Sequence, residues 1–192
     1  MRRMYLAAPI LSTLALAGCL QFGNQTTGSG TGSTSGGPMP KVTGSFGAFN
    51  VTASISKTSC GVGALGMPNT WKLLVGIGKD SKTGACTWDT GSGPVSGMCN
   101  GAAMDFAGQV VIDMRAGGDG TLPACSIARD DTASITLDSM TAPTSFSGSM
   151  TYTFTPTMAS DCADLYVGNM AQFATLPCTV EYAVTAKKAA AT

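Results

Sequence analysis

Apolar residues recur at every second position through much of this chain, and that period commits it to β-structure. Phe49, Val51, Ala53 and Ile55 alternate with Asn50, Thr52 and Ser54, which turns one face of a strand toward a core and the other toward water. Trp71, Leu73, Val75 and Ile77 repeat the pattern, as do Val110, Ile112 and Met114, and then Ala133, Ile135 and Leu137. Phe146, Met150, Tyr152 and Phe154 follow, and Cys178, Val180, Tyr182 and Val184 close the series. Clusters of Gly, Asn, Asp and Pro separate the runs. Such a chain is expected to be all-β, as an antiparallel β-sandwich or an up-and-down β-barrel. By length, residues 41–188 make a single β-rich domain and 189–192 a short tail.

Two connections are legible in more detail. Arg129-Asp130-Asp131-Thr132 lies between apolar-alternating runs that begin at Cys125 and Ala133, so it reads as a tight hairpin turn. Between Thr157 and Pro177 the alternation lapses. That stretch predicts a short helix or long loop before the last strand, starting near Ser160 or Asp161, with Asp164 in its first turn.

The N-terminal residues follow a different plan. Arg2 and Arg3 precede an apolar run from Met4 to Ala17, broken only by Pro9, Ser12 and Thr13, and small residues follow. This is the layout of a secretion signal, and its apolar run is shorter than the roughly 20 residues a spanning helix needs. Leu16-Ala17-Gly18-Cys19 resembles the lipobox of bacterial lipoproteins. By that resemblance residues 1–18 are a signal peptide, and Cys19 becomes the lipid-bearing N-terminus, thioether-linked to diacylglycerol. Leu20, in place of the Asp that signals inner-membrane retention in diderm lipoproteins, leans toward the outer membrane. Residues 19–40 continue as a lipid-anchored tether. From Gly23 to Pro40 they are nearly all Gly, Ser, Thr, Asn, Gln and Pro, a composition that cannot bury enough apolar surface to offset ordering.

Removing the signal also settles the charge and the cysteines. Without Arg2 and Arg3, nine Lys and Arg face eleven Asp and Glu, a net charge of about −2 with no basic patch for nucleic acid. Setting Cys19 aside leaves Cys60, Cys86, Cys99, Cys125, Cys162 and Cys178. An even number in an oxidising compartment reads as three disulfides. Spacing leaves the connectivity open. The pairs that close short loops, Cys162 with Cys178 and Cys86 with Cys99, are the first expectation, and they leave Cys60 for Cys125. A reduced metal site is the alternative, but no Cys-x-x-Cys spacing and no histidine support it.

The same lack of histidine removes Ser-His-Asp and Cys-His catalysis and imidazole-built zinc sites, and no Gly-x-Ser-x-Gly elbow is present. Gly61-Val62-Gly63-Ala64-Leu65-Gly66 matches the dinucleotide fingerprint in letters only. Pro68 stands where the helix should begin, and 25 glycines make such matches common. Glycoside hydrolysis needs two facing carboxylates. Here Glu181 is out of phase with its apolar neighbours, and the Asp residues, as in Gly117-Gly118-Asp119-Gly120, sit mostly in turns. No EF-hand spacing marks a calcium loop. Met67, Met98, Met104, Met114, Met140, Met150, Met158 and Met170 are too dispersed for a copper cluster and suit core filling. Trp71 and Trp88 read as core and rim. No cofactor is expected.

Beyond the lipobox, Cys125-Ser126-Ile127-Ala128-Arg129-Asp130, Ser160-Asp161-Cys162 and Phe173-Ala174-Thr175-Leu176-Pro177-Cys178 resemble disulfide-containing β-rich lipoproteins of myxobacterial type. That resemblance implies no catalytic residues, and it implies the pairs Cys162 with Cys178 and Cys60 with Cys125. The expectation is therefore a lipid-anchored cell-envelope lipoprotein whose β-domain is not an enzyme and binds a ligand or partner, such as an envelope protein or glycan, or is structural. It would reach the membrane through its N-terminal lipid, with the domain periplasmic or at the cell surface. A lipocalin-like carrier of an apolar ligand and an Asp-dependent carbohydrate-active enzyme are the alternatives.

Overall fold

A computed structural model describes residues 45–61, 63–91, 93–115, 123–158, 160–167 and 171–190. The signal segment 1–18, Cys19, the tether 19–40 and the Gly117–Gly120 turn lie outside the described residues. The domain is a closed eight-stranded barrel in which every strand pairs antiparallel with its sequence neighbour and β1 pairs with β8. Of the two all-β architectures expected, the barrel is the one formed. Its strands are β1 (Ser45–Thr58), β2 (Thr70–Lys79), β3 (Cys86–Asp89), β4 (Pro94–Asn100), β5 (Ala103–Arg115), β6 (Cys125–Leu137), β7 (Ser145–Pro156) and β8 (Cys178–Lys188). Among the described residues no helix is long and apolar enough to cross a membrane.

The period-two residues fill the interior as expected. At one end, Trp88 packs between Phe106 and Phe146, with ring centroids 5.6 and 6.2 Å away, and Phe49 meets Phe146 at 5.3 Å. Met104 and Met150 are fully buried there, as core filling requires, whereas Met98 and Met158 are exposed and Met170 lies outside the described residues. Two connections at this end are short and self-satisfied. The Asp80 carboxylate accepts from the Lys82 and Thr83 N–H groups at 2.8 Å. That of Asp138 accepts from the Thr144 N–H and from the Thr144 and Ser145 hydroxyls, which holds its pKa well below the ordinary carboxylate range.

The opposite end is closed by long connections and two disulfides. Cys60 bonds Cys178 and Cys125 bonds Cys162, while Cys86 bonds Cys99 as expected. The expected pairs Cys162 with Cys178 and Cys60 with Cys125 are therefore not formed. The reason is the closure of the barrel. The β1/β8 register that sets Thr58 opposite Val180, continued two residues, brings Cys60 beside Cys178. Cys162 meanwhile lies on the 157–177 excursion, which folds back over the start of β6. That excursion holds a 3₁₀ turn, Ala163–Leu165, containing Asp164, much as expected. It is clasped by Arg115, whose guanidinium donates to the Asp164 carboxylate at 2.7 and 3.3 Å and to the Asp161 carbonyl at 3.0 Å. Leu165 and Phe173 are buried beneath it, and Phe173 lies 5.7 Å from Phe154.

β7 carries a glycine that the closure of the wall requires. A Cβ on Gly148 would strike the carbonyl oxygen of Ser134 and the backbone of Ile135 on β6, so the strands can approach only without a side chain there. Gly148→Ala is expected to destabilise the domain by about 1–3 kcal/mol through overpacking. A fall in the urea midpoint at unchanged slope checks this.

Candidate functional site

The strands of the barrel differ in length, and the difference opens one flank. β2 pairs with β3 only from Gly76 to Lys79, and β5 pairs with β4 only from Ala103 to Phe106. Below those levels Thr70–Val75 of β2 and Ala107–Met114 of β5 have no strand partner on the facing sides among the described residues. Where β3 and β4 intervene, β2 and β5 stand three interstrand spacings apart, about 14 Å. Side chains that point inward at the flank, Trp71, Leu73, Val110, Ile112 and Met114, are only half-buried, whereas their counterparts on β7 and β8 are fully buried.

Behind this flank lies the polar feature that sequence reasoning misplaced. Arg129-Asp130-Asp131-Thr132 is not a hairpin turn; it runs through the middle of β6. Cys125, Ile127, Arg129, Asp131, Ala133, Ile135 and Leu137 all face inward, so the period of two passes unbroken through the polar stretch. That shared parity was the signal available to find it. Four consecutive polar residues looked like turn chemistry because exposed turns are where such runs usually sit.

Arg129 and Asp131 stand two residues apart on one strand face and form a bidentate pair. Nε donates to Oδ1 and Nη2 to Oδ2, both at 2.7 Å. Asp131 is 1% exposed and Arg129 9%, so the planar fork, matched to the carboxylate, is what allows two charges so deep. The guanidinium carbon lies 5.3 Å from the Tyr152 ring centroid, within cation–π range. Tyr152 meets Tyr182 edge-on at 5.8 Å, Tyr182 meets Trp71 at 5.7 Å, and the Tyr182 hydroxyl donates to the Pro68 carbonyl at 2.9 Å. Burial pushes the Asp131 carboxyl upward, against the pull of Arg129, and burial likewise raises Tyr182.

One part of Arg129 remains uncommitted. Its bonds use Nε and Nη2, and among the described residues Nη1 has no hydrogen-bond partner. With Asp131 neutralising the cation, Nη1 suits an uncharged acceptor better than a second anion, which would face the Asp131 carboxylate in a low-dielectric interior.

On the outer surface the same flank begins in a groove of roughly 400 Å³, where β4 parts from β5. Ser96, Met98, Asp105, Ala107, Thr132 and Ser134 are among the residues that line it. Trp88 is fully buried rather than at a rim, and Trp71 is the tryptophan at the flank. Asp130 faces outward and accepts from the Gln109 amide at 2.6 Å, so the adjacent Asp130 and Asp131 lie on opposite sides of the wall. Among the described residues no three of Cys, Asp and Glu converge as a metal site. No family model, curated protein or solved structure matches the chain.

Proposed function

We propose that this protein is a lipid-anchored envelope protein whose barrel is a binding module rather than an enzyme, and that the open flank between β2 and β5 is its binding surface. The observation that carries the reading is the flank itself: two strand edges without partners among the described residues, half-buried apolar side chains between them, and a buried Arg129–Asp131 pair behind, whose Nη1 amino group has no hydrogen-bond partner among those residues. Three disulfides in one domain indicate an oxidising, extracytoplasmic compartment, in keeping with a secretion signal and lipidation at Cys19.

The anchor is tested directly. The membrane form is expected to carry diacylglycerol and an acyl chain on Cys19 in intact mass, and Cys19→Ala to release the protein into the soluble fraction. An unmodified Cys19 would refute it. The binding reading fails if the purified protein turns over glycan or ester substrates and loses that turnover on Asp→Asn substitution.

A second reading, a lipocalin-like carrier, is favoured by the closed eight-stranded up-and-down barrel. Against it, Trp88, Phe49, Phe106 and Phe146 occupy the lumen at one end, which leaves the flank as the route for any apolar ligand. Solvent extraction of the purified protein followed by mass spectrometry would detect a carried lipid.

A further inference from the structure

We infer that the exposed edge of β5 from Ala107 to Val111 is a strand-addition site, which takes an extended segment of a partner protein with apolar residues facing the barrel and basic residues at its flanks. The inference rests on the open flank being the binding surface and names what binds there.

The hydrogen-bond phase of the ladder shows which groups await a partner. The Leu137 N–H donates to the Ala102 carbonyl at 3.0 Å, and bonded pairs alternate with unbonded ones in an antiparallel ladder. In the β5/β6 register Met104, Phe106, Gly108, Val110 and Ile112 therefore bond to β6. Ala107, Gln109 and Val111 turn their N–H and C=O groups the other way, toward the gap, where no strand among the described residues receives them. On β2 the Ile55 N–H donates to the Asn69 carbonyl, and the same alternation turns Thr70, Lys72 and Leu74 toward the gap from the other side.

The two edges differ in how they are guarded. Lys72 is exposed on the β2 edge, and a lysine at that place discourages pairing. On β5, Ala107, Gln109 and Val111 carry no charge, no proline and no bulge, and Val111 is 54% exposed. An added strand would continue the line that β4 abandons, cover half-buried Val110 and Ile112 with its inward side chains, and place one outward side chain in the groove at the β4/β5 fork. Three residues whose N–H and C=O groups both lack a strand partner among the described residues offer up to about six backbone hydrogen bonds.

Charge disfavours a second copy of this chain as the occupant. Because β4 already lies beside Asp105, antiparallel self-pairing over the open length, centred on Val110, would set Asp113 of each copy opposite Ala107 and diagonal to Asp105 of the other, a like-charge contact. The outward faces of β5 and β6 carry Asp105, Asp113 and Asp130 and no Lys or Arg before Arg115, which favours basic residues flanking the incoming strand.

The test uses the purified full chain in detergent and a fluorescein-labelled, end-capped heptapeptide, Lys-Val-Thr-Val-Thr-Val-Lys. Saturable binding is expected, at least tenfold weaker in Val111→Pro, which removes an N–H that faces the gap and not β6. Asp105→Asn with Asp113→Asn should weaken it several-fold. Because a proline can disturb a strand, amide hydrogen exchange on the unmodified protein supplies an independent measure: Ala107, Gln109 and Val111 should exchange at least tenfold more slowly when peptide is bound. No binding, protection confined to Thr70, Lys72 and Leu74, or a dimer abolished by Val111→Pro would overturn the inference. A different ligand that occupies the flank and ignores Val111→Pro would remove the strand-addition site while leaving the binding-module reading intact.

Discussion

Asp131→Ala is expected to cost the domain about 3–5 kcal/mol, the penalty for leaving a buried charge without its counter-ion. Both hydrogen bonds that neutralise Arg129 end on this carboxylate, and the Tyr152 ring cannot take over that role. Asp131→Asn, which keeps an acceptor of the same shape, should cost less. Replacing both partners by apolar residues of similar volume, Arg129→Met with Asp131→Leu, should restore most of the loss, since a well-packed apolar pair commonly equals or exceeds a buried ion pair. Urea unfolding of the three variants with disulfides intact makes the comparison. A loss under about 1 kcal/mol for Asp131→Ala would mean that water reaches Arg129 through the flank and already solvates it.

The second large effect belongs to the bridge that the loop-length argument missed. Cys60 and Cys178 are 118 residues apart, against 37 for Cys125 and Cys162 and 13 for Cys86 and Cys99. In the chain-entropy model the three contribute about 5, 4 and 3 kcal/mol respectively, by restricting the unfolded chain. Replacing Cys60 and Cys178 together by Ala should therefore destabilise most, and replacing Cys86 and Cys99 least. Thermal and urea unfolding of the three double variants gives the order. A reversed order would show that native-state contacts around each bridge, and not loop closure, set its contribution.

The readable and unreadable parts of this fold divide along a physical line. Strands half in core and half in water announce themselves by parity, so β1, β2, β5, β7 and β8 could be placed from the positions of Phe49, Leu73, Ile112, Met150 and Val180. Cys86–Asp89 could not, because all four residues are buried and a strand covered on both faces loses its alternation. Pro94–Asn100, with Gly97 and Ser96 in its middle, carries too few apolar residues to signal a strand. These two short strands are the ones whose length opens the flank, so the candidate site was hidden with them. Arg129 and Asp131 were hidden differently. Chemistry that suits a turn stood at positions whose parity pointed inward, and only the three-dimensional pairing of one with the other resolves that conflict.

Chain connectivity also sets both ends of the described domain at one place. Ser45 of β1 lies opposite Gly78 of β2, and Phe49 opposite Lys188 of β8, so the polypeptide enters and leaves at one rim. The open lengths of β2 and β5 lie toward the other rim, beyond the β3/β4 hairpin, where Cys60–Cys178 and Cys125–Cys162 stand. Under the anchoring proposed above, a barrel tethered through Cys19 would be attached at its entry rim, with the edges that have no partner among the described residues at the far rim. There the lipid surface would shield them least, and a macromolecule approaching from the aqueous side would meet them first.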